Sequence, residues 1–430
     1  MTTANKSLPK GKTVTNNQEK EYENLTRRRV MGVVFLLAAA VIWAVFVRDL
    51  DPSILTVFNM APGGAVAAVP DWIIKPYPVM SVLAFICAAL GAYQLARGFH
   101  HRTNLVLGLV AAIFVFSFLS WAAAGKSLNI VGLITTSLVK AVPLTLGALS
   151  GILCERSGVV NIGIEGMMLV GAFTGALVGS LTNIWVGLLA AVASGAVLGL
   201  FLAVLSIKYK TNQIISGTVI NILGTGLTSF FSAKFLQKYQ ELNNPGRFPT
   251  WNIPGLSKIP VAGPIFFSHN IFVYATFIFI IVLTVALFYT RWGLRLRSVG
   301  EHPKAADTLG INVNRTRYMA VTLGGMMSGF AGAYFTLGSV GRFDEVMTAG
   351  RGFIGLAAMI FGNWHPVGSF FAGTLFGFAD SLASKLAILN VPIPSEFLLM
   401  APYIVTMVVL AGVVGSSHAP AAEGVPYEKE

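Results

Sequence analysis

Long apolar runs, separated by short polar patches that carry most of the basic residues, set the pattern of this chain. A membrane-spanning helix needs about 20 mainly apolar residues. Runs of that kind fall at 30–47, 77–96, 104–123, 132–153, 159–181, 184–207, 213–236, 271–290, 318–339, a broken 353–384, and 396–415. The pattern predicts an all-α, polytopic transmembrane helix bundle of about 11 spans. The polar "AGKSLN" at 124–129 sets the first three runs apart. The chain then divides into a polar tail at 1–29, a three-helix membrane extension at 30–127, an eight-helix core at 128–415 and a C-terminal tail at 416–430. The connections at 48–76 and 237–270 are rich in Pro and Gly, which disfavours regular helix there.

Glycine recurs at a four-residue step within the core runs: Gly171, Gly175 and Gly179; Gly195 and Gly199; Gly325 and Gly329; Gly373 and Gly377. Small residues at that spacing share a helix face and let two backbones approach closely in lipid. "NIGIEGMML" (161–169) and "GRGFIGLAAMI" (350–360) both open an apolar run with G-x-x-G, as two related halves would.

Composition agrees with a bilayer environment. The chain is 55% hydrophobic and 11% charged, with a mean hydropathy of +0.71, whereas soluble domains carry about 25% charged residues. The net charge of +12 does not point to nucleic acid, because Lys and Arg cluster between apolar runs and form no stripe on a polar domain. Those clusters are the N-terminal tail with Arg27, Arg28 and Arg29, "RGFHHR" (97–102), "CER" (154–156), "KYK" (208–210) and the loop at 291–317. Placing all of them in the cytoplasm makes every span alternate as far as Val340, with the N-terminus cytoplasmic. "GNWHP" (362–366) interrupts the tenth run and leaves the side of the C-terminal tail open. The first run starts near Val30 without a small-residue cleavage site and reads as an uncleaved helix. Cys87 and Cys154 lie within or at the end of spans, so no disulfide framework is indicated.

Enzymatic readings fail on their motifs. "AGKS" at 124–127 holds the Gly-Lys-Ser of a phosphate loop, but the earlier glycine position is Ser120. The histidines form no H-E-x-x-H or i,i+4 metal pair, and no cofactor is expected. Few charges lie inside the runs. Glu165 is expected about seven residues, or ~10 Å, into a helix starting near Gly158, with Asn161 one turn earlier and able to hydrogen-bond to it. A buried carboxylate must face protein or a water-filled cavity. Glu165, Asn161 and Asn221 are therefore either a helix clamp or part of a translocation path. As a clamp, Glu165 should tolerate glutamine. Asp380, Lys140 and Lys234 are placed nearer span ends, where lysines snorkel.

The stretch "RSVGEHPKAADTLGINVNRTRY" (297–318) is polar between two apolar runs. Pro303 suits a helix start and Gly310 its end. "KAADTL" between them makes about two turns, with Ala305, Ala306 and Leu309 as a low-profile face. Arg291, Arg295, Arg297, Arg315 and Arg317 would hold its base at the lipid headgroups. The segment reads as a docking knob.

"ERSGVVNIGIEGMMLVGAF" (155–173) followed by "RSVGEHPKAADTLGINV" (297–313) resembles the permease subunit of bacterial ABC importers for nucleosides, within the wider branched-chain amino acid and simple-sugar permease family. "GNWHPVGSFFAG" (362–373) and "APAAEGVPY" (419–427) extend the likeness. The resemblance implies a multi-pass protein of the bacterial plasma membrane that translocates nucleosides. It also implies partners: an ATP-binding ABC subunit, a second related permease chain as a heterodimer, and an extracellular substrate-binding lipoprotein. Glu301, Pro303, Ala305, Ala306, Asp307 and Gly310 would then couple to the ATPase. Simple sugars or branched-chain amino acids are the runner-up cargo. A secondary transporter is the other alternative, but it would be expected to show a string of mid-span carboxylates. The first three helices inherit no role from the resemblance.

Overall fold

The computed structural model describes residues 14–61, 69–389, 391, 400 and 418–429. It forms two compact units, one ending at Ile130 and the other starting at Val131.

The first unit contains α1 (Val14–Val41), which runs on in π-helical turns to Val47, then α2 (Pro76–Ala96) and α3 (Thr103–Ala122). Phe35, Ile42, Met80 and Cys87 are fully buried between them, and Phe46 packs on Phe114, Phe118 and Trp121. The 48–76 connection forms short strands: β1 (Thr56–Asn59) pairs antiparallel with β2 (Trp72–Ile74) and parallel with β3 (Ser127–Asn129).

The second unit holds α4 (Ile130–Glu155), α5 (Ile164–Leu181), α6 (Ile184–Ala203), α7 (Gln213–Phe231), the short α8 (Ala262–Phe266) and α9 (Ile271–Tyr289). It continues with α10 (Arg291–Glu301), α11 (Pro303–Thr308), α12 (Val313–Ala333), α13 (Arg351–Phe361) and α14 (Pro366–Ile388). Helix starts are locally encoded. Asn183, Asn212 and Asn312 each accept first-turn backbone N–H groups through the side-chain carbonyl, satisfying donors that the helix itself cannot. The glycine stripes interlock α5, α6 and α12. A Cβ at Gly171 would lie 2.7 Å from the carbonyl oxygen of Gly329, one at Gly187 2.7 Å from that of Gly175, and one at Gly195 would overlap the carbonyl of Gly325. Only a bare Cα lets these backbones touch.

Among the described residues, eight helices are long and apolar enough to cross a membrane, the last being Ile271–Tyr289. The expected run at 318–339 is helical throughout, as α12 and its π-helical continuation to Val340. The run at 353–384 is not one broken span. It is a hairpin of α13 and α14, in which Phe361 packs on Phe376 at a ring-centroid distance of 5.5 Å. Asn363 and Trp364 take φ values of 53° and 51°, and Pro366 begins α14 without an N–H to continue the earlier ladder. At 11 residues, α13 is about 16 Å long, roughly half of a bilayer core. The run at 396–415 lies almost wholly outside the described residues.

Candidate functional site

The knob forms as a compact cap on α10. Leu296, Val299 and Gly300 turn the buried face of α10 inward, His302 breaks the helix, and Pro303 starts α11. Gly310, at φ +80°, ends it, and the Ile311 N–H returns to the carbonyl of Ala306 at 3.1 Å. That is the left-handed stop for which glycine is favoured. Ala306 is only 2% exposed and packs with Val299 and Val313. The expected low-profile face therefore excludes it: Ala306 is the filling of the knob, because the short helix needs one side chain to seat it on α10 and α12. Ala305 and Leu309 point outward, Leu309 with 81% of its surface exposed.

Residues 418–429 lie across the base of this knob, an arrangement that sequence reasoning missed. The Ala422 N–H donates to the Gly300 carbonyl (2.9 Å) and the Gly424 N–H to that of Gly158 (3.2 Å). Ala421 N–H donates to Glu301 Oε2 at 3.1 Å, and His418 N–H to Asn363 Oδ1 at 3.1 Å. Arg317, 1% exposed, spends Nε on the Ser157 carbonyl and Nη1 on that of Val425. Lys429 stands 3.8 Å from Asp307, and Lys210 pairs with Glu428 at 2.6 Å. The Lys210 hydrogen bond and charge hold the Glu428 carboxyl below its ordinary value. So Glu301 and Asp307, two of the expected coupling residues, face the tail. Arg317, expected at the lipid headgroups, is instead buried because its guanidinium is taken up by the Ser157 and Val425 carbonyls. The sequence signal for this end was a pair of charges at the ends of apolar runs, Glu155 and Arg317.

Glu155 is buried and accepts the Trp364 indole N–H at 2.6 Å. Glu423 of the tail is its neighbour, with Oε2 buried and, among the described residues, no hydrogen-bond partner for it. Burial pushes Glu423 above its ordinary value. Beside it, Arg156 binds the carbonyls of Trp364 and Asn363, both at 3.1 Å. The turn after α4, the knob, the α13–α14 turn and the tail thus share one end of the unit.

Glu165 sits elsewhere than expected. The chain is non-helical at 159–163 and α5 starts only at Ile164, so Glu165 is in the first turn and not seven residues in. Asn161 does not bond to it. Its side-chain carbonyl accepts from the Gly163 N–H (3.0 Å), and its amide faces Cys154 Sγ and Met167 Sδ. This Asx-type turn replaces the helix predicted there. Glu165 instead accepts the Thr348 hydroxyl (2.6 Å) and the Gly350 N–H (2.7 Å) on Oε1, and the Gly352 N–H (2.6 Å) on Oε2. It caps α13, placing a carboxylate at the positive end of that helix. Gly352 packs so closely that a Cβ would lie 2.7 Å from the Glu165 backbone nitrogen. Asn221, on α7, accepts from Gly166 N–H (2.8 Å) and donates to the Ile162 carbonyl (2.9 Å), which ties the start of α5 to α7.

Lys140 does not snorkel from a span end, and Asp380 lies beside it. They form an ion pair of 3.2 Å in which Lys140 also donates to Ser384 Oγ at 2.7 Å, and Arg351 stands 3.9 Å from Asp380. The side chains are a quarter to a third exposed. Cys87 and Cys154 are free and buried, and among the described residues no His/Cys/Asp/Glu group could hold a metal ion.

A family model described as "Branched-chain amino acid transport system / permease component" matches residues 133–414, starting just past the boundary between the two units. The chain is 45% identical over 311 residues to the guanosine ABC transporter permease protein NupQ of Bacillus subtilis, covering 69% of this chain and 96% of that one. It is 41% identical over 312 residues to the nucleoside ABC transporter permease protein NupC of Lactococcus lactis, with the same coverage. A more distant match, 24% over 262 residues, covers 59% of this chain and 72% of a second guanosine permease chain of Bacillus subtilis, NupP. No solved structure matches.

Proposed function

The chain belongs to the family of branched-chain amino acid transport system permease components, and from that premise we propose that it is the membrane permease subunit of an ATP-driven importer that carries nucleosides. It is a transport component, not an enzyme. The observation that carries the cargo assignment is the 45% and 41% identity, over nearly the whole of each relative, to permeases named for guanosine and nucleosides. A nucleoside is neutral, so its path needs polar groups and apolar walls and no strong field.

Energy arrives from outside the chain. The knob of α10 and α11, with Ala305 and Leu309 outermost, receives a separate ATP-binding subunit. A second, related permease chain completes the pore, as the existence of two guanosine permease chains in one organism supports. An extracellular lipoprotein delivers the cargo. Positive charge at 97–102, 154–156, 208–210 and 291–317 supports placing the knob end in the cytoplasm, and the tail at 418–429 lies there with it. Because the turn at 362–365 is at that same end, the chain makes about twelve crossings if 396–415 also spans. One of them is completed by the half-length α13.

Glu165 and Asn221 act as helix clamps in this reading, since their hydrogen-bonding atoms are taken up by neighbouring helices. Reconstituted complex should take up labelled guanosine, adenosine or uridine only with ATP, and unlabelled nucleosides should compete. Competition by ribose or leucine with none from nucleosides would overturn the cargo; uptake without ATP would overturn the class.

A further inference from the structure

The tail at 418–429 has neither helix nor strand, yet its backbone is tied to three separate places: Gly158, Gly300 and the Arg317 guanidinium. Its side chains receive less from this. Ala421 is exposed, Val425 is 52% exposed, and both line a groove whose other wall is Pro303 and Ala305 of α11. Leu309, at the end of the same short helix, is 81% exposed. Glu301, His302, Lys304 and Glu428 border the same groove, so Ala305, Ala421 and Val425 form a strip of small and apolar side chains inside a charged rim, continuous in surface with the knob. Such a surface lets a partner's backbone come close, and gains free energy only when something covers it.

We propose that residues 418–429 and the coupling helix α11 form a single composite seat for the ATP-binding subunit, with an apolar ridge of that partner occupying the groove between Pro303–Ala305 and Ala421–Val425. The proposal rests on the reading of α11 as the ATPase-binding element and extends it. The tail is part of the docking surface, not only a brace under the knob. The anchoring explains why Glu301 and Asp307 turn toward the tail. They position the second wall of the groove and leave the partner to the outward residues.

Both native cysteines are buried, so single reporters can be introduced. In the assembled transporter, a benzophenone photocrosslinker on Val425→Cys should join the ATP-binding subunit with a yield close to that from Leu309→Cys. Val425→Asp should weaken co-purification of the ATP-binding subunit by roughly tenfold, the scale of removing one buried apolar side chain from an interface. Assembly with the second permease and the thermal midpoint should stay unchanged. Crosslinking from position 309 but not from 425, with normal co-purification of Val425→Asp, overturns the composite seat and leaves α11 alone as the docking element. Crosslinking from 425 to the second permease or to another copy of this chain also overturns it. Failure at both positions removes the ATPase assignment of α11 and the inference with it.

Discussion

Glu165→Gln separates a structural carboxylate from one that handles cargo. The carboxylate has two acceptor oxygens and three donors in place: the Thr348 hydroxyl, the Gly350 N–H and the Gly352 N–H. Glutamine offers one oxygen and an NH2 group, so whichever way the amide turns, at least one backbone N–H of the α13 start faces another donor. Hydrogen bonds to a charged group contribute about 1.5–3 kcal/mol, and a buried donor left unpaired costs about 1–3 kcal/mol. The negative charge at the helix N-terminus adds up to about 2 kcal/mol in a partly buried setting. These contributions overlap, so the expected loss is ~3 kcal/mol for glutamine and on the order of twice that for Glu165→Leu, which removes every acceptor. The tolerance for glutamine expected from sequence therefore does not survive the observed geometry.

The assay is unfolding of the purified protein in mixed detergent micelles, followed by loss of the monodisperse peak, in parallel with uptake in vesicles corrected for folded protein. A lowered midpoint in Glu165→Gln, lower still in Glu165→Leu, with uptake per folded molecule largely kept, is the clamp result. An unchanged midpoint in Glu165→Gln together with lost uptake would refute the reasoning, since the carboxylate would then be acting on cargo.

Three further perturbations read other parts of the structure. Gly195→Ala places a methyl on the Gly325 carbonyl, a backbone atom that cannot rotate away, and should cost about 1–3 kcal/mol in micelle unfolding, whereas Gly226→Ala, where nothing lies within 4 Å, should be neutral. Asp380→Asn leaves Lys140 and Arg351 without their counter-charge and should destabilise by about 1–3 kcal/mol, less than for a fully buried pair because these groups are partly exposed; pairing it with Lys140→Met should recover part of the loss. Burial raises Glu423 above 4.5, so the docked tail keeps a proton that the released tail gives up; docking is strongest below that ordinary value and weakens as pH climbs through the raised one, and Glu423→Gln should flatten this dependence in spin-label distances between positions 309 and 425.

Much of the bundle was legible because the bilayer imposes length and apolarity on each element. The glycine stripes were equally readable, since only one residue type permits carbonyl-to-Cα packing such as that of Gly195 with Gly325. The start and stop of α11 followed from Pro303 and Gly310. One failure came from a side chain competing with the helix ladder. Asn161 folds its own carbonyl onto Gly163 N–H and delays α5 to Ile164, a choice that apolar periodicity does not record. The hairpin at 362–365 was hidden by the backbone: residues 353–384 read as one interrupted run until the left-handed Asn363 and Trp364 are seen. The tail's docking was illegible for another reason. It is made largely by backbone groups of small residues, which carry no sequence signature, and it joins positions more than a hundred residues apart, such as Gly158 with Gly424.

These elements bear on how a push at one end could reach the middle of the bundle. Gly300, at the root of the knob, packs on the Arg156 carbonyl so closely that a Cβ would overlap it. Arg156 in turn holds the carbonyls of Asn363 and Trp364, and Glu155 holds the Trp364 indole. Helix α13 reaches that turn after 11 residues, from a start capped by the Glu165 carboxylate in the first turn of α5. Every link is a direct hydrogen bond or a close backbone approach, and close-packed links transmit displacement instead of absorbing it. If the knob is the seat of an ATP-binding subunit, as proposed above, its movement would load α13 along its axis and act on the junction where α13, α5 and α7 meet. The half-length helix is the part that makes this possible. A continuous span would carry the load through to the far surface, whereas a helix whose start lies inside the bundle delivers it to Glu165.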